Sequence, residues 1–268
     1  MYKTLFLLLA MACGAGAPAL SHAVERVAVG ASFSHIYEQR EDGSWHGLGV
    51  DVLCLLAERA GDTMRFKLYP WPRAMAMVER AQADILVGPY KSPERLKRLA
   101  YTDHALYRDR VVFYGRRSGP AAWRGDLALL KGKRIATVRG WHYGSQFEQA
   151  RPLFDINEVP QVENGLQMLA LGRIDLLATN ERNVTRALGP LGLDASVTVL
   201  CPDITQLDGY LAFPRAPHYA AVRERYNALF AQMVRSGELA RLGVRNGVRV
   251  PPYGAAARVA PPCMEKAR

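Results

Sequence analysis

The chain has 268 residues, of which 49% are hydrophobic and 22% charged. These fractions are typical of a globular protein and exclude a disordered chain. The formal net charge is +10, but the arginines are scattered singly or in pairs, with no long basic run and no aromatic platform. We therefore expect a solvated basic surface and no nucleic-acid partner.

The amino-terminal residues have the pattern of a secretory signal peptide. Lys3 is followed by an apolar run from Leu5 to Met11, and small residues ending in Ser-His-Ala close the segment at 21–23. We therefore predict a signal peptide over residues 1–23, a mature chain from Val24 and export. No later segment approaches the roughly 20 apolar residues needed to span a bilayer.

Strand-like and helix-like hydrophobic periods alternate along the mature chain. One set predicts strand, helix, strand, helix and strand at 26–31, 49–60, 64–70, 72–82 and 84–88. A second set of the same kind occupies 133–138, 143–150, 154–159, 165–172 and 174–179. Two βαβαβ sets are typical of parallel sheets flanked by helices, so we predict an α/β protein of two similar lobes.

The chain crosses twice between these predicted lobes. Residues 108–117 leave the first lobe, residues 209–215 form a returning strand, and a long amphipathic helix over 219–243 then covers the first lobe. Lobe 1 is predicted to comprise 24–112 and 212–268, and lobe 2 to comprise 113–211 with the hinge strands. Parallel strands present ligand-facing loops at their carboxyl ends, so both lobes would face one cleft that hinge bending closes.

Three cysteines remain after signal cleavage. Cys54 lies on an apolar helix pattern and is predicted to be a buried free thiol. Cys201 follows a strand-like segment and Cys263 lies in a proline-rich tail. In an oxidising compartment these two are the favoured disulfide pair, although sequence alone does not fix the connectivity.

The sequence lacks the common signatures of metal and catalytic sites. The five histidines of the mature chain show no pair at ligand spacing, and the cysteines form no CxxC motif. Neither a GxSxG motif nor a phosphate-binding glycine loop is present. We predict no metal and no cofactor.

An arginine stands at a helix start that would favour an acidic or amide side chain. Ser92 and Pro93 predict the N-cap and first residue of a helix, and a capping box would place Glu or Gln at position 95. The chain has Arg95 there, facing the positive end of the helix dipole at a cost of up to roughly 1 kcal/mol. Arg95 is either tolerated at the surface or meets a bound anion.

Four segments resemble, in order and spacing, the periplasmic solute-binding proteins of polar amino-acid ABC importers. They are GLGVDVLCLLAERAG, GPYKSPERLKRLAYTDHALYRDRVVFYGRR, LKGKRIATVRGWHYG and GRIDLLATNERN. The most specific part is SPERLKRLAYTDHALY. The resemblance implies a two-lobed fold with two hinge crossings, a small carboxylate ligand, an inner-membrane ABC permease as partner, residence in the periplasm, and a monomer that is not an enzyme.

The resemblance also implies a role for Arg95. Its guanidinium would fork onto the ligand carboxylate, with help from the Ser92 hydroxyl and from backbone N–H groups around Gly88 to Tyr90. A helix N-terminus and a planar guanidinium both favour a bound anion at that place. The dipole cost would then be offset when the carboxylate arrives.

The opposite wall of the cleft departs from the family pattern. Relatives have small hydroxyl residues where this chain has Trp141, His142 and Tyr143. Bulky aromatic groups there would shrink the pocket or stack on a planar or cationic ligand, unless Trp141 packs between helices. The resemblance also places Trp71 and Phe33 against the ligand, and Arg73 repeats the pattern of an arginine in a first helical turn.

A further departure concerns ligand class. Relatives that bind α-amino acids place an Asp five residues after the strand Asp, here Asp175, to pair with the ligand ammonium. This chain has Asn180 there, followed by Glu181. A buried ammonium without a partner is costly. We therefore expect a carboxylate whose other end is neutral, aromatic or diffusely cationic.

Two alternatives of other classes remain at this stage. The same fold hosts periplasmic dehydratases of the cyclohexadienyl or arogenate type, for which Glu181 is the candidate general acid by position. A ligand-sensing accessory protein or receptor sensor domain is the other alternative.

Overall fold

The computed structural model describes residues 23–119 and 123–253, in which it contains eleven β-strands and eight α-helices. Most of the predicted signal peptide, residues 1–22, lies outside the described residues, as does Cys263. None of the helices within the described ranges has the length and apolar character to cross a membrane.

The first lobe is built on three parallel strands with β1 in the middle. Its elements up to the hinge are β1 (Glu25–Gly30), a small hairpin of β2 (Glu38–Gln39) and β3 (Trp45–His46), α1 (Leu48–Ala60), β4 (Thr63–Leu68), α2 (Trp71–Glu79), β5 (Ile85–Tyr90), α3 (Pro93–Arg98) and β6 (Leu99–Tyr101). Helices α7 (Ala220–Arg235) and α8 (Glu238–Arg245) return to this lobe and pack against α1.

The second lobe repeats the pattern, with β8 between two parallel neighbours. Its elements are β8 (Arg134–Val138), α4 (Ser145–Ala150), β9 (Asp155–Val159), α5 (Val162–Ala170), β10 (Leu176–Asn180) and α6 (Glu181–Leu191). The sequence periods predicted these strands within one or two residues, but α6 was not predicted. Asn180 starts this helix, because its Oδ1 accepts a hydrogen bond from the Asn183 N–H at 3.1 Å.

Two long strands connect the lobes. β7 (Tyr107–Arg116) and β11 (Val197–Pro214) pair antiparallel along most of their length. They join the parallel strands of both lobes into one nine-stranded sheet of order β4-β1-β5-β11-β7-β10-β8-β9, with β6 also on β11. The two lobes therefore share a continuous backbone ladder through the two crossings.

Each lobe has its own apolar core. The core of lobe 1 gathers residues of β1, α1, β5 and α7, whereas lobe 2 has two apolar clusters, one containing α5 and α6 residues and the other containing Tyr143 and Phe147. Trp141 packs against all three clusters. One aromatic side chain therefore contacts both lobes.

Two elements differ from their sequence-based predictions. The helix predicted over 219–243 is interrupted at Gly237, whose φ of 71° is in the left-handed region, and it becomes α7 and α8. Cys54 is a free thiol as predicted, but it is exposed. Leu53, Leu56 and Ala57 define the buried face of α1, and Cys54 points away from it because successive helical residues are about 100° apart.

Cys201 is disulfide-bonded in the structure. Its predicted partner, Cys263, lies outside the described residues, so this pairing stays a prediction.

Gly209 on β11 provides the space for the ring of Tyr107. The two residues are paired across β11 and β7, and a Cβ at Gly209 would lie 2.6 Å from the Tyr107 hydroxyl oxygen and closer still to the ring carbons. Tyr107 is 2% exposed, so its ring has no free space to move into.

We expect Gly209→Ala to lower the free energy of unfolding by about 1 to 3 kcal/mol through this overpacking. Gln206→Ala is the matched control, because it introduces the same residue at an exposed position of the same strand. The control should stay within about 0.5 kcal/mol of the wild type. Urea unfolding followed by circular dichroism measures the stability of both variants. Equal stability would contradict the close packing of the Tyr107 ring against Gly209.

Candidate functional site

A cavity lies between the lobes at the carboxyl ends of their parallel strands. Phe33 follows β1, Trp71 follows β4, Trp141 and His142 follow β8, and Asn180 ends β10. The full lining is Phe33, Trp71, Gly88, Tyr90, Arg95, Tyr107, Trp141, His142 and Asn180. The cavity volume is about 20 Å³, which is room for about one water molecule.

Arg95 is the permanent cation in this lining, and it is only 6% exposed. Its Nη1 donates to the Tyr90 carbonyl at 3.0 Å, and its Nη2 donates to the Gly140 carbonyl at 2.8 Å. Within residues 23–119 and 123–253 it forms no ion pair with a carboxylate. Burial lowers the pKa of Arg95. The guanidinium is therefore desolvated and bonded to neutral carbonyl oxygens alone.

The Gly140 carbonyl joins the two lobes at this point. It belongs to lobe 2, and it accepts hydrogen bonds from two lobe 1 side chains, Arg95 at 2.8 Å and Trp71 Nε1 at 3.2 Å. Gly140 has a φ of 76°, a conformation that glycine adopts without strain. An anion with two oxygen atoms would offer the same donors a stronger acceptor than this carbonyl.

Aromatic rings form the apolar side of the cavity. Phe33 packs edge-on against Trp71 with ring centroids 5.1 Å apart, and against Trp141 at 6.0 Å. Trp141 both lines the cavity and packs between the cores, so the two roles considered for it occur together. A ligand with a flat or apolar end would contact these rings.

A buried polar network lies beneath the cavity. The Tyr90 hydroxyl donates to Asp109 Oδ2 at 2.6 Å, and Arg182 donates to both oxygens of the same carboxylate, at 3.0 and 2.9 Å. Asn180 Nδ2 lies 3.4 Å from the Tyr90 hydroxyl oxygen. Burial raises the pKa of Tyr90 well above its ordinary value, and the Asp109 charge adds to this rise. Tyr90 therefore stays a hydrogen-bond donor at any physiological pH.

This network engages an acidic group that contacts the cavity-lining residue Tyr90. Asp109 is 4% exposed, and its charge is offset by Arg182. None of the described residues that line the cavity is an Asp or a Glu. The site as folded offers cations, amides, hydroxyls and aromatic rings to a ligand, and no carboxylate to an ammonium group.

Ser92 is buried and caps α3, as the sequence predicted. Its Oγ accepts a hydrogen bond from the Arg95 N–H at 3.3 Å and donates to Glu94 Oε2 at 3.1 Å. The residue lies outside the cavity lining, so its direct effect is on the first turn of the helix that carries Arg95.

Three predicted site residues point elsewhere. Tyr143 belongs to the core of lobe 2, where it is 1% exposed and its hydroxyl oxygen accepts a hydrogen bond from the Val138 N–H at 2.6 Å. Arg73 is exposed and stacks on Tyr69, with its guanidinium carbon 4.7 Å from the ring centroid.

Glu181 also lies outside the cavity. It pairs with Arg110 at 2.9 Å and lines a separate pocket of about 200 Å³ whose walls include four arginines. As the first residue of α6, Glu181 points in another direction from the cap residue Asn180. The acid proposed for a dehydratase is thus engaged in an ion pair away from the cavity.

Sequence analysis missed Tyr107 as a cavity residue, together with the ion pair of Asp109 and Arg182. Tyr107, Asp109 and Val111 alternate along β7 and are all buried. A charged residue on the buried face of a strand needs a buried partner, and this signal was available in the sequence.

Polar contacts between α6 and the loop after β1 hold the lobes together beyond the cavity. The Asn183 Oδ1 accepts a hydrogen bond from the Ser34 N–H at 3.1 Å, and Arg182 donates to the Ser34 carbonyl. Arg186 forms an ion pair with Glu38. Together with the Arg95–Gly140 bond, these contacts show the lobes in a closed arrangement.

Comparisons with known proteins agree with this architecture. Residues 26–246 match the sequence profile of the bacterial extracellular solute-binding proteins, family 3. A search of the curated proteins finds no match.

Three solved structures illustrate the structural similarity. A histidine kinase sensor domain with similarity to periplasmic binding proteins has a TM-score of 0.76 at 19% identity, covering 85% of this chain and 99% of its own. An ancestral arginine-binding protein bound to arginine has a TM-score of 0.69 at 16% identity, covering 82% and 96%. The ancestral amino acid-binding protein AncCDT-1, a precursor of cyclohexadienyl dehydratase, has a TM-score of 0.69 at 17% identity, covering 83% and 94%. These similarities confirm the predicted periplasmic-binding-protein fold.

The placement of Tyr143 leads to a testable expectation. Tyr143→Phe removes the acceptor of the buried Val138 N–H and should lower the free energy of unfolding by about 1 to 3 kcal/mol. Tyr69→Phe is the control, because the Tyr69 ring is partly exposed and only its face contacts Arg73. Chemical denaturation compares the two variants. Wild-type stability of Tyr143→Phe would show that the hydroxyl is not an obligatory acceptor in this core.

Proposed function

The chain belongs to the bacterial extracellular solute-binding proteins, family 3, and we propose that it captures a small carboxylate-bearing solute, an amino acid or a derivative, in the cavity between its lobes. Hinge bending along β7 and β11 opens the cleft for entry and release. Closure then encloses the solute between Arg95 and the aromatic rings.

One observation carries this proposal: Arg95 is buried beside a cavity and has no carboxylate partner within the described residues. A desolvated guanidinium is stabilised by an anion far more than by neutral carbonyl oxygens. Its planar fork matches the two oxygens of a carboxylate. Displacing the Gly140 carbonyl would expose Nη2, while Nη1 keeps its bond to the Tyr90 carbonyl.

The proposed partner is an inner-membrane ABC permease, and the proposed compartment is the periplasm. The predicted signal peptide and the family support this placement, since the family description names extracellular solute-binding proteins. We propose that the protein works as a monomer, with each lobe presenting its outer surface to the permease in the closed form.

The proposed ligand has a carboxylate at one end and a neutral, aromatic or diffusely cationic group at the other. Phe33, Trp71 and Trp141 support an apolar or flat end group through ring contacts. The absence of any Asp or Glu among the described lining residues supports the exclusion of a localised ammonium. Such a group, buried without a counter-charge, costs several kcal/mol.

The arrangement also supports a binding role over the dehydratase alternative. A general acid must come within hydrogen-bond distance of the reacting group, whereas Glu181 pairs with Arg110 outside the cavity. We expect no turnover when the protein is incubated with prephenate or arogenate and followed by ultraviolet absorbance. Turnover that Glu181→Gln abolishes would establish the enzyme instead.

A thermal-shift screen tests the ligand class. The panel contains the twenty amino acids, keto acids, aromatic acids and betaines, each at the same concentration and pH. At equal ligand concentration, tighter binding to the folded state gives a larger rise in the unfolding midpoint, so we expect the larger shifts among compounds without a localised ammonium. A shift of several degrees by an ordinary amino acid, retained in Glu181→Gln, would contradict the proposed ligand class.

Variants of Arg95 test the anion site itself, with the compound that gives the largest shift as ligand. Arg95→Lys loses the bidentate geometry and Arg95→Ala loses the charge, so both should weaken binding, by about 2 to 5 kcal/mol for the alanine. Arg98→Ala, on the same helix but half exposed and paired with Glu79, should bind like the wild type. Unchanged affinity of Arg95→Ala in calorimetry would show that Arg95 does not bind the ligand and has only a structural role.

A further inference from the structure

His142 lines the cavity from lobe 2, across from the lobe that carries Arg95. It lies in the loop between β8 and α4, and its side chain is 16% exposed. At this position the chain has a titratable imidazole in the wall of a site that already contains a buried guanidinium. The two side chains therefore approach one cavity from opposite lobes.

A fixed carboxylate lies beside the imidazole. Its Nδ1 lies 3.6 Å from Glu148 Oε1. Glu148 is itself held by two donors, the Tyr143 N–H at 3.0 Å and Arg151 Nε at 2.9 Å. The other ring nitrogen, Nε2, has no hydrogen bond to any residue that the structure describes. Because Glu148 attracts the Nδ1 side, Nε2 is the nitrogen left for a ligand.

Four charged groups act on the His142 ring. Glu148 and Arg151 belong to lobe 2, whereas Arg95 and Glu94 belong to lobe 1. Burial lowers the pKa of His142 most strongly, Glu148 acts in the opposite direction, and the Arg95 charge lowers the pKa again. Burial and the positive charge of Arg95 therefore both favour the neutral form of the ring.

We propose that His142 binds the ligand carboxylate together with Arg95 and takes up a proton from solvent as it does so. This inference rests on the proposed function, because it requires an anion at Arg95. A carboxylate beside Arg95 offsets the charge that disfavours imidazolium, and the protonated ring then donates a second charge-assisted hydrogen bond from Nε2.

Joint binding by Arg95 and protonated His142 narrows the proposed ligand class to organic anions without an ammonium group. In the bound state two cations, Arg95 and protonated His142, face the ligand, and the described lining supplies no carboxylate. A zwitterion would bring a third positive charge into this space. The compounds 3-phenylpropanoate and phenylalanine share one skeleton and differ by that ammonium, so they form a matched pair of probes.

Proton uptake fixes the direction of the pH dependence. The pKa of His142 is higher in the bound state than in the free state, so affinity rises as pH falls through the bound-state pKa and levels off below the free-state pKa. One coupled proton gives a change of at most about tenfold per pH unit. Burial lowers the free-state pKa of His142, so the affinity levels off only below the ordinary pKa of a histidine.

Isothermal titration calorimetry with both probes between pH 6 and 8, in two buffers of different ionisation enthalpy, tests the proposal. We expect 3-phenylpropanoate to bind at least about tenfold tighter than phenylalanine, with affinity rising at lower pH and a measurable proton uptake. His142→Gln should keep Arg95-dependent binding but lose the uptake and the pH dependence. His218→Gln, at an exposed histidine outside the site, should behave like the wild type.

The outcomes separate the two levels of inference. Binding of 3-phenylpropanoate that depends on Arg95 but is independent of pH, or equal proton uptake in His142→Gln, overturns the role of His142 and leaves the proposed function standing. Tighter binding of phenylalanine overturns the ligand class. Failure of both probes to bind at any pH overturns the inference, and the wider thermal-shift panel then decides the proposed function separately.

Discussion

A buried guanidinium that forms no ion pair with any residue the structure describes is the constraint on which the rest of the site depends. Arg95 lies in the first turn of a short helix, an unfavourable position for a cation, and it is removed from water beside a small cavity. Carbonyl oxygens of Tyr90 and Gly140 satisfy its hydrogen bonds, but they carry no net charge to offset the desolvation. The fold therefore keeps a positive centre whose best partner is an anion from outside the chain.

The hinge strands β7 and β11 carry several of the residues that surround Arg95. β7 supplies Tyr107 to the cavity and Asp109 to the network beneath it, and β11 makes room for the Tyr107 ring at Gly209. Asp109 is fully used by Arg182 and by the Tyr90 hydroxyl. The same network thus leaves the Asp109 carboxylate with partners inside the protein, which supports the proposed ligand class.

The hydrophobic periodicity of the sequence was sufficient to predict the lobes, the crossings and most strands. Buried strands and amphipathic helices have patterns that depend on local geometry alone. The cleft was located because parallel strands end at one edge. Side-chain directions in the connecting loops were not predictable in this way. Tyr143 turns into a core and Glu181 pairs with Arg110, because each direction depends on a neighbour distant in sequence. The helix break at Gly237 had a local signal, because glycine adopts the left-handed conformation found there without strain.

The same hydrogen bonds to carbonyl oxygens also connect the two lobes. The Gly140 carbonyl takes hydrogen bonds from Arg95 and Trp71 across the cleft, so the proposed ligand carboxylate would exchange one set of acceptors for another. The hydrogen bonds themselves then contribute little to affinity, because they are present on both sides of the exchange. The gain comes from the charge that a carbonyl lacks and from the rings that the ligand's other end contacts. For the proposed ligand, selectivity in this cleft would accordingly depend on net charge and shape more than on the number of donors.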